Sequence, residues 1–347
     1  MLKTAIVGAS GYTGAELLRL LLLHPRIEIT SISAGRAAGR SLAEVYPQFR
    51  GQLSLPIEAF DAEGVATAAT MAFVALPHGQ SAKVVDELRC AGLRVVDLSA
   101  DFRIRDLHTY EQWYGEHPAP QRLAEAVYGL PELYREAICD ADLVAAPGCY
   151  PTAAILAIAP LLAAGLIKTE GLIVDAKSGV SGAGRNPSQA AHFPEVGEGV
   201  RAYGVCGSHR HTPEMEQECS VLADKPVRLT FTPHLVPMSR GILSCVYAEP
   251  TTSDMDASTF QHTLEEFYSG EPFVSVLGQD TLPDTAFVRG SNRAHVAVRY
   301  DTRAGRVLCI AAIDNLCKGS SGQAIQCLNL MQGWNEGLGL EAVAMFP

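Results

Sequence analysis

The chain has 347 residues, 48% of them hydrophobic and 19% charged, with a formal net charge of −11. That length supplies about two domains with real cores, and the composition is that of an ordinary globular enzyme. The acidic balance argues against a nucleic-acid partner, which needs a cationic surface, but leaves room for a small anionic substrate held by a few clustered arginines.

In chain order, Thr4–Gly8 predicts a buried strand, then a glycine turn and a helix to about Leu23. Ile27–Ser33 and Met71–Leu76 predict further strands, followed by a helix over Ser81–Cys90 and a strand over Leu93–Leu98. Leu143–Ala146 is another strand, feeding the turn Pro147-Gly148-Cys149-Tyr150-Pro151-Thr152 and an apolar helix to about Ala164. This alternation is the sequence form of a parallel α/β sheet. From about Gly171 the pattern changes. Leu172–Ala176 is a strand, Ser178–Arg185 a glycine-rich loop, and Val227–Thr232, Ile242–Ala248, His295–Tyr300 and Val307–Ile313 are strands with few helices between them. They predict a mixed sheet in a second domain. After the loop Asp314–Gly319, a last helix from about Ser320 to Trp334 is expected to pack back on the first domain. The expected domains are 1–148 with 315–347, and 149–314.

No run of about 18 apolar residues is available to span a bilayer. The start, MLKTAIVGAS, enters a strand at once, with no separate targeting segment. Nine cysteines without a CxxC pair in a large chain predict reduced thiols in a cytoplasmic setting.

Gly8-Ala9-Ser10-Gly11-Tyr12-Thr13-Gly14 follows the first strand and opens the first helix, with its glycines spaced GxxGxxG. A dinucleotide asks for such a turn: backbone must approach the pyrophosphate closely, and helix-start N–H groups must face the anion. The position directly after an N-terminal strand favours this reading over a bland strand–helix turn. The second strand ends Ser33-Ala34-Gly35-Arg36 without the acid that holds the ribose 2′-hydroxyl of NAD; Glu28 lies at the opposite end. A hydroxyl and a guanidinium suit a 2′-phosphate, so the expected cofactor is NADP, with a solvated loop arginine as the alternative for Arg36.

Cys149 lies between a strand end and a helix start, with Pro151 suited to the first helical turn. The helix dipole there favours the reactive thiolate. Cys245 and Cys309 fall in apolar strand patterns and read as core. His209-Arg210-His211-Thr212-Pro213-Glu214 offers a histidine with an unperturbed pKa of about 6.5 as acid/base partner. The same HxHxxE string could be structural or bind a metal. No further Cys/His cluster supports a metal, and Thr212-Pro213 is expected to interrupt the required helix.

Together these motifs resemble the N-acetyl-gamma-glutamyl-phosphate reductase family. The match runs through GASGYTGAELLRLL from Gly8, LPHG at 76–79, LSADFR at 98–103 and PGCYPTA at 147–153. It continues through SGVSGAGR at 178–185, SHRHTPE at 208–214, HLVPMSRGIL at 234–243 and DNLCKGSSGQAIQ at 314–326. The glycine motif is shared with the wider aspartate-semialdehyde dehydrogenase superfamily. The resemblance implies a Rossmann domain, an α+β domain carrying substrate and dimer contacts, and a homodimer or homotetramer. It implies NADPH-dependent reduction of N-acetylglutamyl 5-phosphate to the semialdehyde, the third step of arginine biosynthesis. By position, Cys149 matches the nucleophile, His211 the acid/base, and His209 and Glu214 its supporting and substrate-facing neighbours. Leu76, Pro77, Ser178, Gly179, Gly182 and Asn315 lie in matching cofactor-side loops. Arg103, Arg185 and Arg240 could clamp phosphate or carboxylate, or lie at the surface. Ser320-Ser321 departs from the alanines frequent in the family.

Three rivals remain open at this level. A carrier-bound aminoadipyl-phosphate reductase of lysine biosynthesis has similar motifs, although the acidic balance suits an acidic carrier poorly. A cysteine hydrolase would have no use for the glycine fingerprint, and a non-catalytic regulator none for a Cys–His pair.

Overall fold

Short apolar runs punctuated by glycine and proline turns build two sheets, one in each of two units. The computed structural model describes residues 1–189, 192–252 and 254–346. Its units are Met1–Pro147 with Ser320–Glu341, and Gly148–Gly319 with Ala342–Pro347.

The first unit holds β1 (Leu2–Val7), β2 (Ile27–Ser33), β3 (Met71–Val74), β4 (Arg94–Asp97), β5 (Ala126–Tyr128) and β6 (Leu143–Ala145) in the order β2-β1-β3-β4-β6-β5. All pairings are parallel. Its helices are α1 (Tyr12–Leu21), α2 (Leu42–Val45), α3 (Ala62–Ala68), α4 (Ser81–Cys90), α5 (Leu107–Tyr114) and α6 (Pro131–Cys139). Every residue of β3 is buried, as expected of a parallel strand covered on both faces. Val7, Val74, Val95 and Leu143 form one core layer with Val65 of α3 and Val85 and Leu88 of α4. The chain leaves β1 for β2 on one side and returns to β3 on the other, the topological switch at which open α/β sheets bind ligands.

The second unit opens with α7 (Cys149–Ala163), buried from Tyr150 through Leu162. A helix apolar all round belongs in a core. Burying each of Ile155, Leu156, Ile158, Leu161 and Leu162 stabilises by about 1.5–3 kcal/mol. The strands β7 (Leu172–Gly179), β8 (Arg201–Ala202), β9 (Leu229–Val236), β10 (Ile242–Ala248), β11 (Val274–Val276), β12 (Ala294–Asp301) and β13 (Arg306–Ile313) run in the order β11-β12-β13-β10-β7-β9-β8. The sheet is mixed: β7–β9 and β11–β12 are parallel and the other pairs antiparallel. Helix α7 covers β10, β12 and β13. Along β7, β9 and β10 buried residues alternate with half-exposed ones, so Asp175, Lys177, His234 and Tyr247 lie on the sheet's other, open face.

Four features differ from the sequence expectation. Helices α8 (Phe193–Val196), α9 (Thr212–Ala223) and α10 (Ala257–Phe267) lie where few were expected. Thr212-Pro213 opens α9 instead of breaking it, because a first-turn proline forfeits only an N–H that has no partner within the helix. The last helix, α11 (Gly322–Met331), starts late because Cys317–Ser321 winds as a π-turn; α11 packs on α1, α6 and β4. Residues 315–319 and 342–347 group with the second unit: Asn315 accepts the Gly241 N–H, and Met345 donates to the Arg289 carbonyl. Among the described residues no helix is long and apolar enough to cross a membrane.

Candidate active site

The three glycines of the first turn do different things. Gly8 sits at φ +95°, and a Cβ there would collide with the Ala75 carbonyl. At Gly14 a Cβ would meet the Gly8 carbonyl and, at 2.7 Å, the Ala9 Cα. The protein's own packing therefore requires both. A Cβ at Gly11 would find only the Gly8 carbonyl at 3.8 Å, so the fold leaves open space there. Gly11 is also the N-cap of α1, with no side-chain cap. The N–H groups of Tyr12, Thr13 and Gly14 meet no acceptor among the described residues. An open cradle beside three outward N–H groups is what a diphosphate requires. The Ser10 and Gly11 carbonyls accept from the Tyr46 hydroxyl at 2.7 and 3.0 Å, which braces the turn. Ser321 donates to the Thr13 carbonyl at 3.0 Å, so this departure from the family pattern supports the same helix start.

At the end of β2 the Ser33 hydroxyl is buried and has no hydrogen-bond partner among the described residues, while Arg36 is exposed. The structure also brings Glu58 alongside, its carbonyl accepting the Ala34 N–H at 3.1 Å. Chain order gave no sign of that neighbour. Leu76 is half-buried and Pro77 exposed in the loop after β3, which Gly8 touches through Ala75.

Cys149 is the first residue of α7 and is partly accessible. The helix start is held from outside, because the fully buried Glu214 carboxylate accepts the N-cap Gly148 N–H at 2.8 Å. Pro151 has no N–H, and Thr152 donates to the Gly148 carbonyl at 2.9 Å. The Tyr150 N–H meets no acceptor among the described residues. Gly319 packs on Cys149: a Cβ there would lie 2.8 Å from that of the cysteine.

Tyr150 joins the cysteine to the histidines. Its ring meets His209 and His211 at 5.7 and 6.0 Å between centroids, and the two imidazoles are 4.8 Å apart. Its hydroxyl donates to the His234 carbonyl and accepts from Tyr203, each at 3.1 Å. Burial, with help from the Arg210 charge, pushes His209 down to about 4, so this ring is neutral near pH 7. Its Nδ1 accepts the His211 N–H at 3.1 Å, which leaves the proton on Nε2.

Ser178, Gly179, Gly182 and Asn315 converge in the second unit. Asn315 accepts the Gly241 N–H at 2.7 Å and donates to Ser181 at 2.9 Å. A Cβ at Gly179 would strike the Arg240 nitrogen at 2.8 Å, and one at Gly182 the Ser178 hydroxyl at 3.0 Å. The three arginines separate. Arg185 is exposed. Arg240 is paired at 3.2 Å with Asp314, a buried acid that also accepts the Gly290 N–H at 2.6 Å. Arg103 turns inward, donating to the carbonyls of Ala146 and Leu98 at 2.7 and 2.8 Å. Sequence reasoning missed Asp314, Tyr203 and the buried pair Asp97 and Asp101. Two acids four apart in an otherwise apolar segment, Asp97-Leu-Ser-Ala-Asp101, were the signal for the last.

Residues 3–141 match the family model described as semialdehyde dehydrogenase, NAD binding domain, and residues 149–315 match semialdehyde dehydrogenase, dimerisation domain. Fold and site thus define an oxidoreductase of the semialdehyde dehydrogenase class. The same fold recurs in aspartate semialdehyde dehydrogenase II of Vibrio cholerae, at TM-score 0.72 and 18% identity over 96% of this chain and 98% of that one. It recurs in aspartate semialdehyde dehydrogenase with NADP from Candida albicans, at 0.73 and 15% over the same shares. The N-acetyl-gamma-glutamyl-phosphate reductases of Geotalea daltonii and Moorella thermoacetica are 52% and 50% identical, each over 100% of both chains. The chain belongs to the N-acetyl-gamma-glutamyl-phosphate reductase family.

Proposed function

We propose that the chain uses NADPH to reduce N-acetyl-L-glutamyl 5-phosphate to N-acetyl-L-glutamate 5-semialdehyde and phosphate, in arginine biosynthesis. The observation that carries this reading is Cys149 at the head of a buried helix whose cap is tied down by Glu214. The substrate follows from the names of relatives about half identical along the whole chain. The first unit fits the cofactor: Gly11 leaves the cradle, α1 offers its N–H groups, and the Ser33 hydroxyl and Arg36 suit a 2′-phosphate.

The Cys149 thiolate attacks the acyl carbon; a C–S bond forms as the C–O bond to phosphate breaks. His211 takes the thiol proton and passes it to the departing phosphate. NADPH, when bound, supplies the hydride that reduces the thioester. The oxyanion is met by the Tyr150 N–H, then collapses and breaks the C–S bond. His211, reprotonated from solvent, returns a proton to sulfur. His209 stays neutral and orients His211, and Arg185 and Arg240 are the cationic groups toward the substrate's anionic ends. The open face of the second sheet, in the segment matching the dimerisation-domain description, forms the contact of a homodimer or homotetramer.

The test is the reverse reaction, with N-acetylglutamate semialdehyde, phosphate and either NADP or NAD, followed by absorbance of the reduced cofactor. Phosphate-dependent reduction of NADP, abolished in Cys149→Ala while nucleotide binding persists, is expected. Faster turnover with NAD would overturn the cofactor choice and point to Glu58. A folded, NADP-binding enzyme inert toward this substrate would move the reading to a carrier-bound aminoadipyl phosphate.

A further inference from the structure

The loop after β3 lies against the glycine turn and carries one short turn of its own. Residues 77–80 make one turn, with the Gln80 N–H on the Pro77 carbonyl at 3.2 Å, and Gly79 is left-handed at φ +75°. Helix α4 then begins after Gln80, which gives no side-chain cap.

The anchor comes instead from the loop after the neighbouring strand β4. The Asp101 carboxylate accepts the Gly79 N–H at 2.8 and 3.0 Å, the Ala82 N–H at 2.9 Å and the Tyr110 hydroxyl at 3.0 Å. It is fully buried. Its own backbone is equally constrained: the Asp101 N–H donates to the Ser99 hydroxyl at 3.0 Å, and its carbonyl accepts from His117 Nε2 at 2.7 Å. The His117 Nδ1 accepts the Ala119 N–H, which sets that tautomer. Behind it Asp97, also fully buried, accepts from the hydroxyls of Ser81 at 2.5 Å and Ser99 at 2.6 Å. Ser81 is the first residue of α4, so the two acids grip the helix start from one side.

Capping one helix does not call for this arrangement. A serine or aspartate at position 80 would do so locally and exposed, as Asp106 does for α5 through Thr109. Two buried carboxylates are costly unless each is multiply bonded. What they achieve is a rigid tie between the loops at the carboxyl ends of β3 and β4, beside the turn at the end of β1.

We infer that Asp101 is a positioning residue for the nucleotide, holding the loop 75–80 in the form that NADP binding requires. The inference rests on reading the first unit as the NADP-binding one. Preorganisation of this wall spares the cofactor the cost of ordering it.

The experiment titrates NADPH into the full-length enzyme by fluorescence and measures steady-state KM values for both substrates. Asp101→Asn keeps the size but sets an amide N–H against donors. It is expected to raise the NADPH Kd and KM about tenfold, with the acyl-phosphate KM within about twofold. Asp106→Ala, a cap deletion in the adjoining helix, is expected to lower thermal stability and leave the NADPH Kd unchanged. Wild-type affinity in Asp101→Asn overturns the inference. If that variant does not fold, Tyr110→Phe decides, removing one donor: about threefold weaker binding is expected, and no change overturns the inference. Wild-type enzyme that does not bind NADPH would fail the underlying reading before any variant is made, and the inference with it.

Discussion

Two strand-to-helix turns, one opening a helix of each unit, share a plan and differ in what meets their N–H groups. After β1 the chain turns through Gly8–Gly14 into α1; Pro147-Gly148-Cys149 opens α7. The α1 start is left open, with three N–H groups in a row and room over Gly11. The α7 start is closed: Glu214 takes the Gly148 N–H, Pro151 removes another donor, and Gly319 presses on Cys149. An open helix start suits a diffuse, multiply charged anion. A closed one with the Tyr150 N–H facing outward suits one oxygen at one position, beside a cysteine whose place is fixed.

Breaking the closed turn should have the larger effect. Glu214→Ala leaves a buried N–H unpaired, at about 1–3 kcal/mol of stability. It also releases the Cys149 helix start, for an expected kcat loss of about a hundredfold, since small misplacements cost that much. Glu214→Gln keeps an acceptor and should recover most of the loss. An unchanged kcat in Glu214→Ala would show that Cys149 does not depend on this tie.

In the open turn, Gly11→Ala should fold normally, because its Cβ meets nothing closer than 3.8 Å. It should weaken NADP binding by about tenfold by filling the cradle. Calorimetric titration beside a melting curve would check this; unaltered affinity would mean that the space is not used.

The two units also oppose each other in pH response. Burial pushes the Asp97 carboxyl from 3.8 up to about 6, against the bonds from Ser81 and Ser99. The native state holds that proton more tightly than the unfolded chain. Its stabilising contribution is therefore full below about 4 and is lost as pH rises to about 6, by an amount on the order of 3 kcal/mol. His209 falls from 6.5 to about 4, so its contribution is present above 6.5 and lost as pH falls toward 4. Urea midpoints at pH 4.5 and 6.5 sharpen the contrast. His209→Phe should soften the acid sensitivity and Asp97→Asn should steepen it; the same sign in both would refute the assignment.

The smallest effect is expected at Ser321→Ala, which removes the bond to the Thr13 carbonyl. It should cost about 0.5–1.5 kcal/mol of stability and move NADP affinity less than Gly11→Ala does.

Much of this molecule is written locally. The parallel strands, the glycine turn and the cysteine at a helix start are each set by a few neighbouring residues, through burial period, φ preference and the dipole of a helix start. Even the misread Thr212-Pro213 was a local feature, read as a break where it was a beginning. The site's internal ties were not legible. Glu214 reaches Gly148 across 66 residues, Asp101 reaches Gly79 across 22, and Ser321 reaches Thr13 across 308. Glu58 comes beside Ser33, and Arg103 turns inward to carbonyls instead of outward to substrate. Strand order decides which loop ends meet, and burial decides which polar groups must then find one another. Sequence spacing carries neither. The residue types for the proposed chemistry were present in the sequence; which of them are tied to which others was decided only by the tertiary structure.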